Sequence, residues 1–318
     1  MIFLGGLPRA GSTLLGALLS QREDTHVSTT SALCDIIGGA VDKWENHPAS
    51  KANQEGDGIK LIKAIMDVHY AAYKNPIIID KSRGWHYPQI IETMHKVQDT
   101  VKIIAPVRPM AECFASIVKL VKPEDVSSFC KTSAVGKHFL TSYQSLKEGY
   151  KAYPDNFLFI EYDDMIANPQ KQLNRISEFL EIDKFIHTFE NIDAVREDDE
   201  VWRIENLHKV RKTLSKEKFS RKDILGDELW KYYQGGEFWN SKPEPVKKTS
   251  ILDLQYEALM RGQYEQAKGM CYKNLKKYPE CNRTAFNAGW FKLSEGKVKE
   301  GYLLLDRGRT ETIWGDPH

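Results

Sequence analysis

Short apolar runs alternate with longer amphipathic segments along the first two thirds of the chain. Four of these runs have the length and apolar content of buried strands: Ile2–Gly5, Pro76–Asp80, Val101–Val107 and Phe157–Tyr162. Strands that alternate with helices are typical of βαβ units around a parallel sheet. The pattern therefore predicts an α/β fold with a central parallel sheet flanked by helices.

Helical periodicity is clearest in two of the segments between the runs. In Pro109–Val121, apolar residues recur at i, i+3, i+4 and i+7 from Phe114 and form one face of a helix. Pro169–Leu180 begins with proline, which the first turn of a helix tolerates, and Asn168 before it is a candidate N-cap. Both segments are therefore predicted as helices that cover the sheet.

The pattern changes near residue 240. Asn240–Lys248 is polar and contains two prolines, so residues 241–250 are predicted as a linker between a main domain, 1–240, and a small all-α segment, 251–318. Gly262 and Gly296 stand 34 residues apart within similar phrases, a period that resembles the tetratricopeptide repeat. An ordinary helical hairpin is the other interpretation. A segment this short is expected to pack on the main domain, on a second copy in a homodimer or on a protein partner.

The charges of the chain nearly cancel. Its 318 residues include 45 Lys and Arg against 44 Asp and Glu, a net charge of +1. A protein that binds nucleic acid or an anionic membrane by bulk attraction normally carries a basic excess. We therefore expect neither partner. The sequence also has no run of the roughly 18 apolar residues that a membrane-spanning helix needs.

The cysteines form no C-x-x-C pair: Cys34, Cys113, Cys130, Cys271 and Cys281. This spacing favours neither a disulfide framework nor a zinc site. The apolar N-terminus lacks the basic region of a signal peptide. We therefore expect a cytoplasmic protein without a bound metal.

A glycine-bracketed loop joins the first strand to the first predicted helix, Thr13–Ser20. From Gly6 to Thr13 it reads GLPRAGST. Such a loop exposes backbone N–H groups, and the helix N-terminus adds partial positive charge, so the site suits a phosphate or sulfate. Compared with the Walker pattern G-x-x-x-x-G-K-[ST], Ser12 replaces the lysine and Arg9 lies inside the loop. This shift disfavours ATP chemistry, which normally needs the lysine and Mg²⁺.

The loop GLPRAGSTLL resembles the arginine-bearing 5′-phosphosulfate loop of the sulfotransferase family, whose donor is 3′-phosphoadenosine 5′-phosphosulfate (PAPS). The resemblance implies a P-loop NTPase-like sulfotransferase fold. It also implies that five residues line the 5′-phosphosulfate: Arg9, Gly11, Ser12, Thr13 and Leu14, the last mainly through its backbone. A glycine-rich turn without a ligand is the alternative.

Later segments resemble the family's site for the rest of the donor. Arg108 ends an apolar strand, and Ser116 follows eight residues later on the next helix. By the resemblance this pair binds the 3′-phosphate, a role that suits the guanidinium fork. Tyr162 is placed near the adenine, and the alternative is a residue that only ends its strand. Arg211 is placed over the 3′-phosphate, and the alternative is a solvated charge.

Lys81 stands just past the strand Pro76–Asp80, where the family has a catalytic cation. By that resemblance Lys81 stabilises the bridging oxygen and the transferring sulfonate. The alternative is a surface ion pair with Asp80, worth about 0–1 kcal/mol.

The base that removes the acceptor's proton is less readily assigned. The family often has a glutamate soon after the first helix or a histidine two residues past the lysine, but those places hold Ser31 and Ala32, and Arg83. Three residues are candidates for the base: His86, His208 and Asp35. The unperturbed pKa of an imidazole, about 6.5, suits a base at neutral pH. The other possibilities are a base elsewhere or an acceptor acidic enough to need none.

Taken with the resemblance, these residues predict transfer of a sulfuryl group from PAPS to a hydroxyl or amine of a carbohydrate, small-molecule or peptide acceptor. The expected reaction is an in-line displacement without a metal. Two alternatives stay open at this point. One is a small-molecule kinase that uses ATP and Mg²⁺ on the same loop. The other is a non-catalytic nucleotide-binding adaptor whose helical repeat binds a peptide.

Overall fold

A computed structural model of the chain describes residues 1–53, 57–193, 199–214 and 221–243, together with 255, 258–259, 262–277, 279 and 282–312. The chain divides into two compact units, Met1–Glu244 and Pro245–His318. Of the predicted linker, only residues 241–243 belong to the described part. Cys281 lies outside it, and the other four cysteines are buried.

The N-terminal unit is built on one five-stranded sheet. Its strands are β1 (Ile2–Leu4), β2 (Thr25–Val27), β3 (Ile77–Lys81), β4 (Ile103–Val107) and β5 (Phe157–Glu161). They are ordered β2-β3-β1-β4-β5, and every neighbouring pair is parallel. The predicted α/β class with a central parallel sheet is confirmed. The four predicted strands agree within two residues at each end, whereas β2 was not predicted.

Helices surround the sheet in the N-terminal unit. They are α1 (Ser12–Leu19), α2 (Leu33–Asn46), α3 (Pro48–Asn53), α4 (Gly58–His69), α5 (Pro88–Val97), α6 (Met110–Val121), α7 (Val126–Thr132), α8 (Ala134–Ala152), α9 (Tyr162–Ala167), α10 (Pro169–Leu180), α11 (Asp199–Trp202), α12 (Arg221–Leu225) and α13 (Asp227–Tyr233). Short 3-10 turns cover Arg83–His86, Pro154–Asn156 and Phe238–Asn240. The prediction of α10 is confirmed at both ends, and α6 begins one residue later than predicted. Asn168 takes the predicted N-cap position of α10, and its side chain makes no capping hydrogen bond there.

Both faces of the sheet are buried, which explains why its strands read as continuous apolar runs. Phe3 and Ile103 lie in one core cluster, with Phe114 of α6. Leu4 and Ile104, the next residues on the same two strands, lie in the other cluster, with the inner face of α10. The sheet is therefore a layer between two hydrophobic cores.

The carboxyl ends of four neighbouring strands bring polar residues to one edge of this layer. Gly6 follows β1, Lys81 ends β3, Arg108 follows β4, and Tyr162 follows β5. These four strands are adjacent in the order β3-β1-β4-β5. Ligands of open α/β sheets bind at this edge. The topology thus gathers residues that are far apart in the sequence.

The C-terminal unit is helical, as predicted. It contains α14 (Tyr264–Lys277), α15 (Asn282–Ser294) and α16 (Val298–Thr312). The turns before α14 and α16 are alike: Gly262 and Gly296 have φ values of 72° and 76°. Their N–H groups donate to Leu259 and Leu293 carbonyls, both at 2.9 Å. The 34-residue spacing therefore corresponds to a repeated turn, and the tetratricopeptide assignment stays a prediction.

In the part of the chain that the structure describes, we find no helix of the length and apolarity needed to span a membrane.

Candidate active site

A cavity opens at the carboxyl edge of the sheet. It is lined by every residue that was predicted to bind the donor: Arg9, Gly11, Ser12, Thr13, Leu14, Arg108, Ser116, Tyr162 and Arg211. These residues come from the first loop, α1, the turn between β4 and α6, α6 itself, α9 and the segment 207–214. The fold therefore brings together side chains that lie some 200 positions apart, from Arg9 to Arg211, around one space.

The first loop depends on glycine at two places. Gly6 has φ +90°, and a Cβ there would lie 2.3 Å from the Pro106 carbonyl oxygen. Gly11 has φ +92°, and its Cβ would lie 2.8 Å from the Tyr162 ring. Only glycine accepts both the positive φ and the close approach. The loop backbone can therefore lie close to Pro106 and Tyr162 and continue directly into α1.

The N-terminus of α1 faces the cavity without competition from acidic groups. No side chain caps it, and its first turn contains no acidic residue. The first N–H groups of a helix lack intrahelical partners and carry partial positive charge. With Ser12 and Thr13 lining the cavity at this point, the helix start suits a phosphate or sulfate.

The Arg108 guanidinium makes several contacts but does not use all of its N–H donors within the described part of the chain. Its side chain is 4% exposed. Nε donates to Glu112 Oε2 at 2.9 Å, Nη1 donates to the Arg9 carbonyl at 3.4 Å, and the Tyr162 ring centroid lies 4.3 Å from Cζ. Nη2 is buried and makes no hydrogen bond with any described residue. An unpaired buried cationic donor is costly, so this atom fits an anionic ligand.

Arg9 connects the first loop to α6 and to the segment 207–214. Its Nε donates to Ser116 Oγ at 3.3 Å, and its Nη1 donates to the Leu207 carbonyl. The second contact holds the segment 207–214 against the first loop. Arg9 has φ +61°, a conformation that costs energy in a non-glycine residue and that clusters at functional sites.

Lys81 lies where the first loop meets β3. Its Nζ is 3.4 Å from Thr13 Oγ1, and the residue is 8% exposed. Asp80 is fully buried and accepts hydrogen bonds from the Tyr70 hydroxyl and from Trp85 Nε1, the latter at 2.6 Å. Successive strand residues point to opposite faces. The alternative of a surface ion pair between Lys81 and Asp80 is therefore wrong.

The three candidates for the base have different surroundings. His208 lines the cavity, and its Nδ1 lies 2.8 Å from Asp199 Oδ1. His86 has no exposed surface, and its Nε2 lies 3.0 Å from Ser145 Oγ in the core. Asp35 is exposed in the first turn of α2, and it is not among the residues that line the cavity. The assignments of His86 and Asp35 as bases do not fit these positions.

Burial gives His86 a testable pH signature. Loss of hydration, reinforced by the nearby Arg83, lowers its pKa to about 3. An unfolded histidine has a pKa near 6.5, so below that pH the unfolded chain binds a proton at His86 that the folded protein does not. One such group therefore lowers the free energy of unfolding by about 1.4 kcal/mol per pH unit in this range. The free energy of unfolding, measured with urea, should fall less steeply from pH 7 to pH 5 for His86→Gln than for the wild type.

The exposed His47 provides the matched control. We expect His47→Gln to keep the slope of the wild type. An unchanged slope in His86→Gln would contradict the assigned burial.

Several cavity residues were not predicted. Arg83 was considered only as the residue that replaces a family base, yet both Arg83 and Lys209 line the cavity. Positive side chains at the lining are Arg9, Arg83, Arg108, Lys209 and Arg211, and among the described residues that line it there is neither Asp nor Glu. The near-neutral chain thus concentrates positive charge at one place, as an anion site requires.

A search of the described residues finds no group of three or more His, Cys, Asp and Glu side chains that could hold a metal ion.

Comparison with known proteins agrees with the geometry. The model of a family described as "Sulfotransferase family" matches residues 2–186, more than half of the chain. Cytosolic sulfotransferase 10 of Arabidopsis thaliana is 30% identical over 162 residues. That alignment covers 47% of this chain and 45% of the relative, so the chain spans less than half of the relative's length.

Solved structures are also similar. The sulfotransferase domain from the Synechococcus PCC 7002 olefin synthase is 18% identical, with 79% of this chain and 86% of that chain covered and a TM-score of 0.40. Sulfotransferase STF9 from Mycobacterium avium is 13% identical, with 76% and 77% covered and a TM-score of 0.42.

Proposed function

The chain belongs to the sulfotransferase family, and on that premise we propose that it transfers a sulfuryl group from PAPS to a hydroxyl or amine of an acceptor. The proposed reaction needs no metal. The single observation that carries the proposal is the buried Nη2 of Arg108, which has no hydrogen-bond partner among the described residues and belongs to a side chain that lines the cavity. Arg108 with Ser116 would hold the 3′-phosphate, which distinguishes this donor from ATP.

The first loop would hold the other end of the donor. Backbone N–H groups at the start of α1 and the Ser12 and Thr13 side chains suit the 5′-phosphosulfate. Tyr162, whose ring packs on Arg108, would lie beside the adenosine. Arg211 and Lys209 would close over the 3′-phosphate from the segment 207–214.

PAPS, when bound, supplies the sulfuryl group and a phosphate leaving group. Lys81 would neutralise negative charge that develops on the leaving oxygen, since its Nζ lies beside Thr13 of the phosphosulfate loop. The burial of Lys81 reduces screening by water and strengthens this effect. Positive side chains and backbone donors would thus take the role that Mg²⁺ has in kinases.

His208 is the proposed proton acceptor among the three candidates. The contact of Nδ1 with Asp199 favours the tautomer with a proton on Nδ1, which leaves Nε2 as the basic nitrogen. The backbone N–H of His208 also approaches the same carboxylate, at 3.4 Å. An acceptor with an acidic hydroxyl would reduce the need for this base.

The acceptor, the oligomeric state and the cellular location go beyond the family assignment. We propose a carbohydrate, small-molecule or peptide acceptor, and recruitment of a partner or a second copy through α14–α16. A cytoplasmic location stays a prediction.

A ligand panel tests the donor assignment. Adenosine 3′,5′-bisphosphate should raise the melting temperature of the protein more than AMP does at equal concentration, because a ligand that binds the native state stabilises it. ATP with Mg²⁺ should have a smaller effect than the bisphosphate. Equal or greater stabilisation by ATP with Mg²⁺ would favour the kinase alternative. Bisphosphate binding without any sulfated product from a broad acceptor pool would favour the adaptor.

A further inference from the structure

Glu112 lies between two arginines behind the cavity. Its Oε2 accepts a hydrogen bond from Arg108 Nε at 2.9 Å and a second one from Arg221 Nη1. The side chains of Glu112 and Arg221 are 18% and 12% exposed, so water screens these contacts weakly. Neither residue is among those that line the cavity. Glu112 is connected to the cavity through its contact with Arg108, and Arg221 through its contact with Glu112.

Arg221 completes a ring of contacts around the Arg108 guanidinium. Its Nη2 lies 3.7 Å from Asp163 Oδ1. Asp163 follows Tyr162, whose ring lies against Arg108, on α9. The ring of contacts thus connects α6, α9 and α12 around Arg108.

Glu112 and Arg108 make one of the two hydrogen bonds that a carboxylate and a guanidinium can form with each other. A carboxylate beside an arginine commonly takes two parallel N–H groups at once. Here Arg108 donates to Glu112 through Nε only, and its Nη2 has no partner in the described part of the chain. Arg221 Nη1 donates to the Glu112 oxygen that accepts from Arg108 Nε, Oε2.

We propose that Glu112 and Arg221 are positioning residues for the donor's 3′-phosphate. Arg221 holds Glu112 so that it fixes Arg108 through Nε and leaves Nη2 to the phosphate. This inference rests on the proposed function, in which Arg108 binds the 3′-phosphate. It assigns to α12 a role in donor recognition although its arginine does not reach the ligand.

Calorimetric titration with adenosine 3′,5′-bisphosphate and with AMP tests the inference. We expect Arg221→Ala to weaken bisphosphate binding by about tenfold, since Glu112 then becomes free to take Nη2 as well. Binding of AMP, which lacks the 3′-phosphate, should change by less than about twofold. Arg221→Lys should recover part of the affinity, because an ammonium can still donate to Glu112.

The Glu112→Gln variant tests whether Glu112 positions Arg108 or only repels the phosphate of the ligand. If Glu112 positions Arg108, loss of its charge weakens bisphosphate binding. Stronger binding by Glu112→Gln would instead show that the carboxylate merely repels the phosphate, and would overturn the inference.

Lys222→Ala is the matched control on the same helix. Lys222 makes an exposed ion pair with Asp227 at 2.8 Å, and its replacement should leave both affinities unchanged. Equal losses for AMP and bisphosphate in Arg221→Ala and Arg221→Lys would show general damage and overturn the inference. So would unchanged bisphosphate affinity in these variants. Failure of the wild type to bind bisphosphate would instead refute the proposed function itself.

Discussion

Replacement of Arg108 by alanine should remove most of the affinity for adenosine 3′,5′-bisphosphate. The variant loses a buried guanidinium whose Nη2 has no partner among the described residues. Charge-assisted bonds to a phosphate in such a site are strong, and we expect the dissociation constant to rise about 100-fold, or about 2.7 kcal/mol. Arg108→Lys should recover only a minor part, because an ammonium lacks the planar fork. Calorimetric titration of the bisphosphate measures both variants.

The selectivity of the loss is as informative as its size. Binding of AMP should fall far less than binding of the bisphosphate, since AMP does not use the 3′-phosphate site. Arg175→Ala on α10 provides a control arginine that does not line the cavity. Comparable losses for AMP and bisphosphate in Arg108→Ala would contradict the assignment of this arginine to the 3′-phosphate.

Replacement of Lys81 by alanine should reduce turnover by about 10²- to 10³-fold, the usual effect of removing a group that stabilises transition-state charge. Binding of the bisphosphate should change by only about two- to threefold, because that ligand carries no sulfonate. The initial rate of ³⁵S transfer from labelled PAPS into host-cell extract measures turnover. Titration of the bisphosphate measures binding.

Lys102→Ala is the control for the removal of a largely buried lysine. The Lys102 side chain is 17% exposed and pairs with Glu181 at 2.6 Å, just before β4 and so at the opposite edge of the sheet. Its removal should leave the transfer rate within about twofold of the wild type. A loss of bisphosphate affinity in Lys81→Ala that equals the loss of turnover would show that Lys81 serves binding rather than the chemical step.

The strands that the sequence predicted share one property. They are buried on both faces, so each reads as an unbroken apolar run that needs no tertiary information. Thr25–Val27 has only three residues, two of them polar, and its strand conformation comes from pairing with β3 at the edge of the sheet. A sequence pattern carries no signal for such a strand.

The donor residues were predicted from the resemblance of two local motifs to a known family, and a parallel sheet collects the strand ends that carry Arg108 and Tyr162 at one edge. The base could not be assigned in the same way. Whether a histidine reaches solvent depends on packing partners far along the chain: His86 meets Ser145 in the core, whereas His208 meets Asp199 at the cavity. The pair Glu112 and Arg221, 109 positions apart, likewise has no local signature.

Transfer of label from ³⁵S-PAPS tests the central claim most directly. The protein should form a product that carries the label and is heavier than its acceptor by one SO₃ group in mass spectrometry, with one adenosine 3′,5′-bisphosphate released per product. EDTA should leave the rate unchanged, since positive side chains and backbone donors take the place of a metal. Bisphosphate formation with all of the label recovered as inorganic sulfate, or no consumption of PAPS across acceptor pools, would contradict the proposed sulfuryl transfer.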